Sequence, residues 1–229
     1  MAKHLDLEEQ EQLAEIKHFW KEYGNLITWV LIAVFGAIAA WNGWQYWQRT
    51  QAVQAATLFD EVERAAQAGD TARVERAFSD MKDKFGSTTY AQQAGMLAAK
   101  VLVEKGNTDG AKAALAWVAE KSSDEGYQAL ARLRLAGVLA QAKAYDEALK
   151  QLSGGFPKSF DGLVADRRGD IFNLQGKKAE AKAEYIKAYK NSDERSEYRR
   201  LIEVKLSALG VDPKELATPA APATSGAKQ

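Results

Sequence analysis

From Leu26 to Trp47 the chain reads LITWVLIAVFGAIAAWNGWQYW, and no charged residue stands between Glu22 and Arg49. As a helix, 22 residues span about 33 Å, enough to cross a hydrocarbon core. Five of the six tryptophans lie in or beside this run. Trp20 and Tyr23 precede its apolar part, and Trp41, Trp44, Tyr46 and Trp47 close it, as expected of a helix passing two headgroup layers. Such a segment admits few folds: the spectrum is a membrane anchor, a cleaved leader or a buried core helix. A leader has a basic start, an apolar region of about 7–15 residues and a small-residue cleavage site. Here the preceding residues are acidic, the run is longer, and bulky Trp44 and Trp47 follow. A soluble core helix rarely stays uncharged for so long, and the chain has no comparable second run. The expectation is a single-pass membrane protein.

The 31 basic and 31 acidic residues cancel, so no global field points toward nucleic acid. With no cysteine in the chain, thiol catalysis, thiolate zinc sites and disulfides are excluded. The only histidines, His4 and His18, precede the membrane run, which leaves the larger part of the chain without imidazole.

Residues 1–24 read as a short acidic lead and a helix that Asp6 can cap, with Glu8, Glu9 and Glu11 near the positive end of its dipole. Leu13, Ile16, Trp20 and Tyr23 form an apolar stripe. Lys17 and Lys21, with Lys3 further out, stand against Arg49 and Arg64 on the other flank, a small bias toward an inside amino terminus. Within the membrane run (25–48), Ala33, Gly36, Ala37, Ala40 and Gly43 share one stripe. Small residues of this kind permit close backbone approach by a partner helix, and are also common wherever helices meet lipid.

After Arg49 no stretch shows two-residue alternation, and three of the four prolines lie beyond residue 212. Gly69, Gly106, Lys143 and Gly176 sit in short breaks at periods of 37, 37 and 33 residues, the mark of a helical repeat array. Around these turns the residues resemble tetratricopeptide repeats: Gly169 and Phe172, then Ala181, Tyr185 and Ala188; Leu135, Ala136 and Leu139, then Tyr145, Ala148 and Leu152; Ala98, Ala99 and Leu102, then Ala111 and Leu115. The 52–85 hairpin, with Val74, Phe78 and Met81, is more divergent. A final helix over 195–209 is expected to cap the array, and the Ala-, Pro- and Thr-rich tail 213–229 to be disordered. The fold class is therefore all-α: one transmembrane helix, then an α-solenoid of helical hairpins over 49–212.

No catalytic grouping emerges. Ser153-Gly154-Gly155 is a break between helices, and Asp166 with Asp170, one turn apart, is expected to be a solvent-facing pair. No phosphate loop, zinc spacing or calcium loop appears, so neither enzyme activity nor a metal or cofactor is expected. Binding on the concave surface of the array is the remaining role. Alignment to the repeat assigns that surface to Met96, Lys100 and Val103; Leu133, Gly137 and Ala140; Asp166, Asp170 and Asn173, running from apolar toward acidic. The Lys and Asn set with which some such arrays clamp a terminal carboxylate is missing, since Leu133 and Gly137 hold key places.

The segment EEQEQLAEIKHFWKEYGN (8–25), followed by a membrane helix ending in GWQYW (43–47), resembles the YfgM-type family of ancillary subunits of the bacterial SecYEG translocon. Lys17, Trp20, Lys21 and Gly24, with Trp44, carry the most specific part of this resemblance; Phe19 and Tyr23 depart mildly from the motif. The resemblance implies a single-pass protein of the bacterial inner membrane, amino terminus in the cytoplasm and repeats in the periplasm. It further implies association with the SecYEG channel and with a membrane-anchored periplasmic prolyl-isomerase-like chaperone, and the handing over of nascent chains to periplasmic chaperones. A link from the cytoplasmic segment to envelope-stress regulation is also implied. A scaffold for another cell-envelope complex is the alternative that the residues themselves leave open.

Overall fold

Five residues break the helical run with a left-handed backbone: Gly69, Gly106, Lys143, Gly176 and Gly210, at φ 66°, 80°, 61°, 77° and 74°. The first four are the turn residues expected from the sequence period. At each of the five, the residue after the turn donates its N–H to a carbonyl five positions earlier: Asp70 to Ala65, Asn107 to Leu102, Ala144 to Leu139, Lys177 to Phe172, Val211 to Leu206, at 2.8–3.1 Å. This is the Schellman closure, which satisfies the carbonyls left over at a helix end and turns the chain back on itself.

The computed structural model describes residues 7–193, 195–213 and 216, with side chains from residue 11 onward. The expected Asp6 cap falls outside the described residues, as does all of the expected disordered tail except Pro213 and Leu216. Nine α-helices follow in order among the described residues: α1 (Leu7–Ala68), α2 (Thr71–Phe85), α3 (Thr89–Glu104), α4 (Thr108–Lys121), α5 (Glu125–Gln141), α6 (Tyr145–Gln151), α7 (Asp161–Leu174), α8 (Lys178–Lys190) and α9 (Glu197–Ala208). A single 3₁₀ turn, Lys158–Phe160, follows the Ser153-Gly154-Gly155 break.

The chain divides into two units, Met1–Val53 and Gln54–Gln229. In the first, the described residues are helical and almost wholly exposed. The most apolar 18-residue window of α1 has a mean hydropathy of 1.8, and only 6% of it is buried within the protein. A core helix would be largely covered, so that alternative fails, and the helix is long and apolar enough to cross a membrane.

The second unit is built of hairpins, α3 with α4, α5 with α6, and α7 with α8, closed by α9, and Val62 and Ala65 at the end of α1 share the core with Val74 and Ala77 of α2. First helices also pack on one another, α3 on α5 and α5 on α7. Seven residues before each of the first four left-handed residues stand Val62, Ala99, Ala136 and Gly169; five after it stand Val74, Ala111, Ala148 and Ala181. All eight are buried. They occupy the crossing of the two helices, where size is limiting. A Cβ on Gly169 would lie 2.5 Å from ring carbons of Tyr185, closer than real contacts allow. Caps fix several of the helix starts, with Asp70, Thr88, Asn107, Asp124 and Ser196 accepting from backbone N–H groups of the first turn.

Lys143 is the one non-glycine among the left-handed turns of the described residues. A Cβ in that region costs on the order of 1 kcal/mol, offset only partly by the lower entropy of the unfolded lysine chain. Lys143→Gly is therefore expected to raise the stability of the protein by a few tenths of a kcal/mol to about 1 kcal/mol, read as a higher denaturant midpoint.

Candidate interaction groove

The C-terminal halves of α3 and α5 and the middle of α7 enclose a groove of about 390 Å³. Its floor is apolar, formed by the buried Ala99, Leu115 and Val138. Its rim is charged: Lys100 and Glu104 from α3, Arg134 from α5 and Arg167 from α7. Lys100 and Glu104 approach at 3.9 Å with both side chains mostly exposed, a pair worth little in water. Gly137 lies half-buried in the wall, and a Cβ there would sit 3.4 Å from the Arg167 guanidinium. A larger side chain at that position would displace the arginine that crosses α5 at this point.

Of the nine residues expected on the concave face, Lys100, Val103 and Gly137 line this groove, and Asn173 is exposed without lining it. The other five need correction. Met96, Leu133 and Asp166, each ten residues before a left-handed turn, are only 5–6% exposed, and Ala140 is equally covered. Neighbouring elements close over these early positions, α9 in the case of Asp166, whereas the residue one further on stays open: Arg134 is exposed and Arg167 half-exposed. Asp170 is only half-buried but is engaged inside the protein rather than presented to a ligand. The lining is thus basic over an apolar floor, and the expected drift toward acidity is not found. Arg134 and Arg167 went unassigned because alternate helical positions at the edge of a groove carry no periodic signal of their own.

The two aspartates are also not the solvent-facing pair anticipated. Lys205, from the capping helix α9, places its Nζ 2.8 Å from Asp166 Oδ1 and 2.6 Å from Asp170 Oδ1. The Tyr198 hydroxyl donates to Asp166 Oδ2 at 2.6 Å, and the Tyr185 hydroxyl donates to Asp170 Oδ1 at 2.8 Å. Burial, the carboxylate hydrogen bond and the nearby negative charges push both tyrosine hydroxyls well above their ordinary range, holding them protonated. One cation is therefore shared by both carboxylates, each of which also accepts a phenol hydrogen bond, and Asp170 has a second cation, Arg167, at 3.7 Å. Asp166 is buried and Lys205 and Asp170 are largely covered, and the chemistry of the arrangement is structural: it fastens α9 to α7.

In the first unit, Lys17, Trp20 and Lys21 are exposed while Gly24 is buried, because the Trp20 indole lies over it. A Cβ on Gly24 would meet that ring at 3.2 Å, so glycine is what lets the indole lie flat along the helix. Phe19 and Tyr23 stack at 5.1 Å between centroids, and Trp44 and Trp47 at 5.3 Å. Ala33, Gly36, Ala37, Ala40 and Gly43 are all exposed, with open space where a Cβ would stand on Gly36 and Gly43. No group of three or more His, Asp or Glu residues that could hold a metal ion occurs among the described residues.

The tetratricopeptide repeat-like domain family matches residues 17–211, from before the membrane run through the capping helix. A protein of Neisseria gonorrhoeae named ancillary SecYEG translocon subunit is 32% identical over 91% of this chain and all of its own length. Proteins of the same name from Aggregatibacter actinomycetemcomitans and Escherichia coli are 29% and 28% identical, each over 89% of this chain and 98% and 97% of their own lengths. No solved structure matches the chain.

Removing the cation from the Asp166–Asp170 pair strands a buried carboxylate. Lys205→Met is expected to cost about 3 kcal/mol, at the lower end for such pairs because the lysine is partly exposed, measured by denaturant unfolding. The tyrosines make a separate, pH-dependent prediction. As pH rises past about 10 the unfolded chain releases both phenolic protons while the folded chain keeps them, so the native state binds more protons and stability falls. Below that the two states hold the same protons and the contribution is constant. Tyr185→Phe with Tyr198→Phe is expected to flatten the alkaline slope of the denaturant midpoint.

Proposed function

This chain belongs to the tetratricopeptide repeat-like family that includes the ancillary SecYEG translocon subunits, and from that membership we propose that it is itself a membrane-anchored accessory of the SecYEG export channel. The observation that carries the reading is its extent: relatives bearing that name align with the membrane helix, the repeats and the cap together, at near-complete coverage of both chains. A helical array alone would support only binding of some partner.

In this proposal Leu26–Trp47 spans the inner membrane with the amino terminus in the cytoplasm. The acidic segment with Lys17, Trp20, Lys21 and Gly24 stays inside, and the hairpins stand in the periplasm. The array holds a membrane-anchored periplasmic prolyl-isomerase-like chaperone near the channel exit and helps pass emerging chains to other periplasmic chaperones. The stripe Ala33, Gly36, Ala37, Ala40 and Gly43 is the face offered to a partner helix in the membrane. The protein works by positioning, without catalysis. Three features support this: the membrane-length helix, the stacked first helices with their open groove, and the absence of imidazole and thiol from the repeat domain.

Affinity purification of the tagged chain after mild detergent extraction tests the proposal. SecYEG subunits are expected in the eluate, with a prolyl-isomerase-like chaperone beside them. Recovery of a different envelope complex, with the channel subunits at background, would establish the alternative scaffold role. Gly36→Leu is expected to lower channel recovery at unchanged membrane insertion.

A further inference from the structure

We infer that the α3–α5–α7 groove takes an acidic, partly apolar stretch of extended polypeptide, an inference that rests on the reading of this array as a partner-binding scaffold. The argument is one of charge and shape together. Three cations, Lys100, Arg134 and Arg167, rim the groove against one carboxylate, Glu104. Asp166 is buried on Lys205 and Tyr198, so of the two aspartates of α7 Asp170 alone, which shares that lysine and lies 3.7 Å from Arg167, offsets part of the rim's positive charge. Arg167 is held by a single long contact, 3.7 Å to Asp170, and its buried Nε has no acceptor. A guanidinium so weakly engaged has terminal donors to offer a carboxylate, for which its planar fork is the best-suited cation.

The floor selects for chain rather than for a free anion. Ala99 and Val138 lie beneath the rim, and Val103 is 37% exposed beside it. An occupant presenting carboxylates at the rim and small apolar side chains to the floor satisfies both surfaces, whereas a small anion would leave the apolar part in water. A flat bilayer surface cannot follow a concavity between helices. The occupant is thus a flexible segment of a partner or client, rich in Asp or Glu interspersed with aliphatic residues.

The test uses the full chain in neutral-lipid nanodiscs and three labelled twelve-residue peptides: alternating Glu and Val, the same with Gln for Glu, and the same with Lys for Glu. Anisotropy is expected to show at least tenfold tighter binding of the Glu peptide than of the Gln peptide, weakening as salt is raised, and no binding of the Lys peptide. Arg134→Glu and, separately, Lys100→Glu are expected to weaken Glu-peptide binding at least tenfold. Neither residue is a hydrogen-bond or ion-pair partner of Lys205, Asp166 or Asp170, so circular dichroism should be unchanged. Gly137→Leu, which adds bulk inside the groove and pushes the Arg167 guanidinium aside, is expected to block the peptide, and unchanged Glu-peptide binding by this variant would overturn the placement in the groove. Equal affinity for the Glu and Gln peptides, or indifference to both charge reversals, would overturn the inference. If channel subunits still co-purify in that event, the scaffold reading stands and only the acidic specificity falls. If they do not co-purify with the unaltered chain, the scaffold reading itself fails.

Discussion

A single left-handed residue at the end of each first helix is the constraint on which the repeat unit depends. It lets the chain reverse within three residues while the departing helix still has its carbonyls satisfied. The reversal brings two helices so close that only small or well-shaped residues fit at their crossing, seven before the turn and five after it. Where that demand is greatest, at Gly169, the backbone of α7 lies directly against the Tyr185 ring. Large side chains elsewhere on the helices are fully buried, among them Leu102, Leu115 and Ile171. Stacking follows, since no hairpin can cover its own apolar face alone.

An array built this way has an open end, and α9 closes it with polar chemistry as well as apolar contact. Ile202 and Leu206 are fully buried against α7 and α8, while Lys205, one residue before Leu206, reaches the two aspartates of α7. Burying an ion pair is worth little in net stability, but it is demanding in geometry, so it selects the position of α9 on α7. It has a second effect at the groove. By holding Asp166 and sharing Asp170 with Arg167, the cap offsets one of the two negative charges of α7, and the rim keeps Lys100, Arg134 and Arg167 against Glu104 and that shared aspartate.

Much of this architecture was legible in the sequence because it is local. Turn residues, crossing residues and the membrane run are all read from spacings shorter than one repeat. Gly69, Gly106, Lys143 and Gly176 stand where the period placed them, and Ala99, Ala136, Ala148 and Ala181 are buried as their size implied. What could not be read is set by pairs distant in sequence. Lys205 meets partners 35 and 39 positions away, so Asp166 and Asp170 looked like an ordinary exposed i, i+4 pair. Gly95 was passed over for a related reason: its need for small size comes from Val118 Cγ2 and the Phe78 ring, both on neighbouring helices, which would crowd a Cβ at 2.5 and 3.0 Å. Three residues that the repeat pattern assigned to the concave face, Lys100, Val103 and Gly137, line the groove. Met96, Leu133, Ala140 and Asp166 are instead buried, Asp166 beneath Tyr198 and Lys205 of α9, on a face that an isolated hairpin would expose.

The proposal that joins these parts is that the membrane helix separates an inside motif from an outside array. The absence of cysteine makes this open to a direct measurement. Ser87→Cys, exposed between α2 and α3, and Glu15→Cys, exposed on the amino-terminal stretch of α1, each supply one thiol to a chain that has none. Treated with a membrane-impermeant maleimide in intact spheroplasts, the Ser87→Cys protein is predicted to be labelled at once, and the Glu15→Cys protein only after lysis. Labelling of Glu15→Cys in intact spheroplasts, with Ser87→Cys protected until lysis, would contradict the account at its centre.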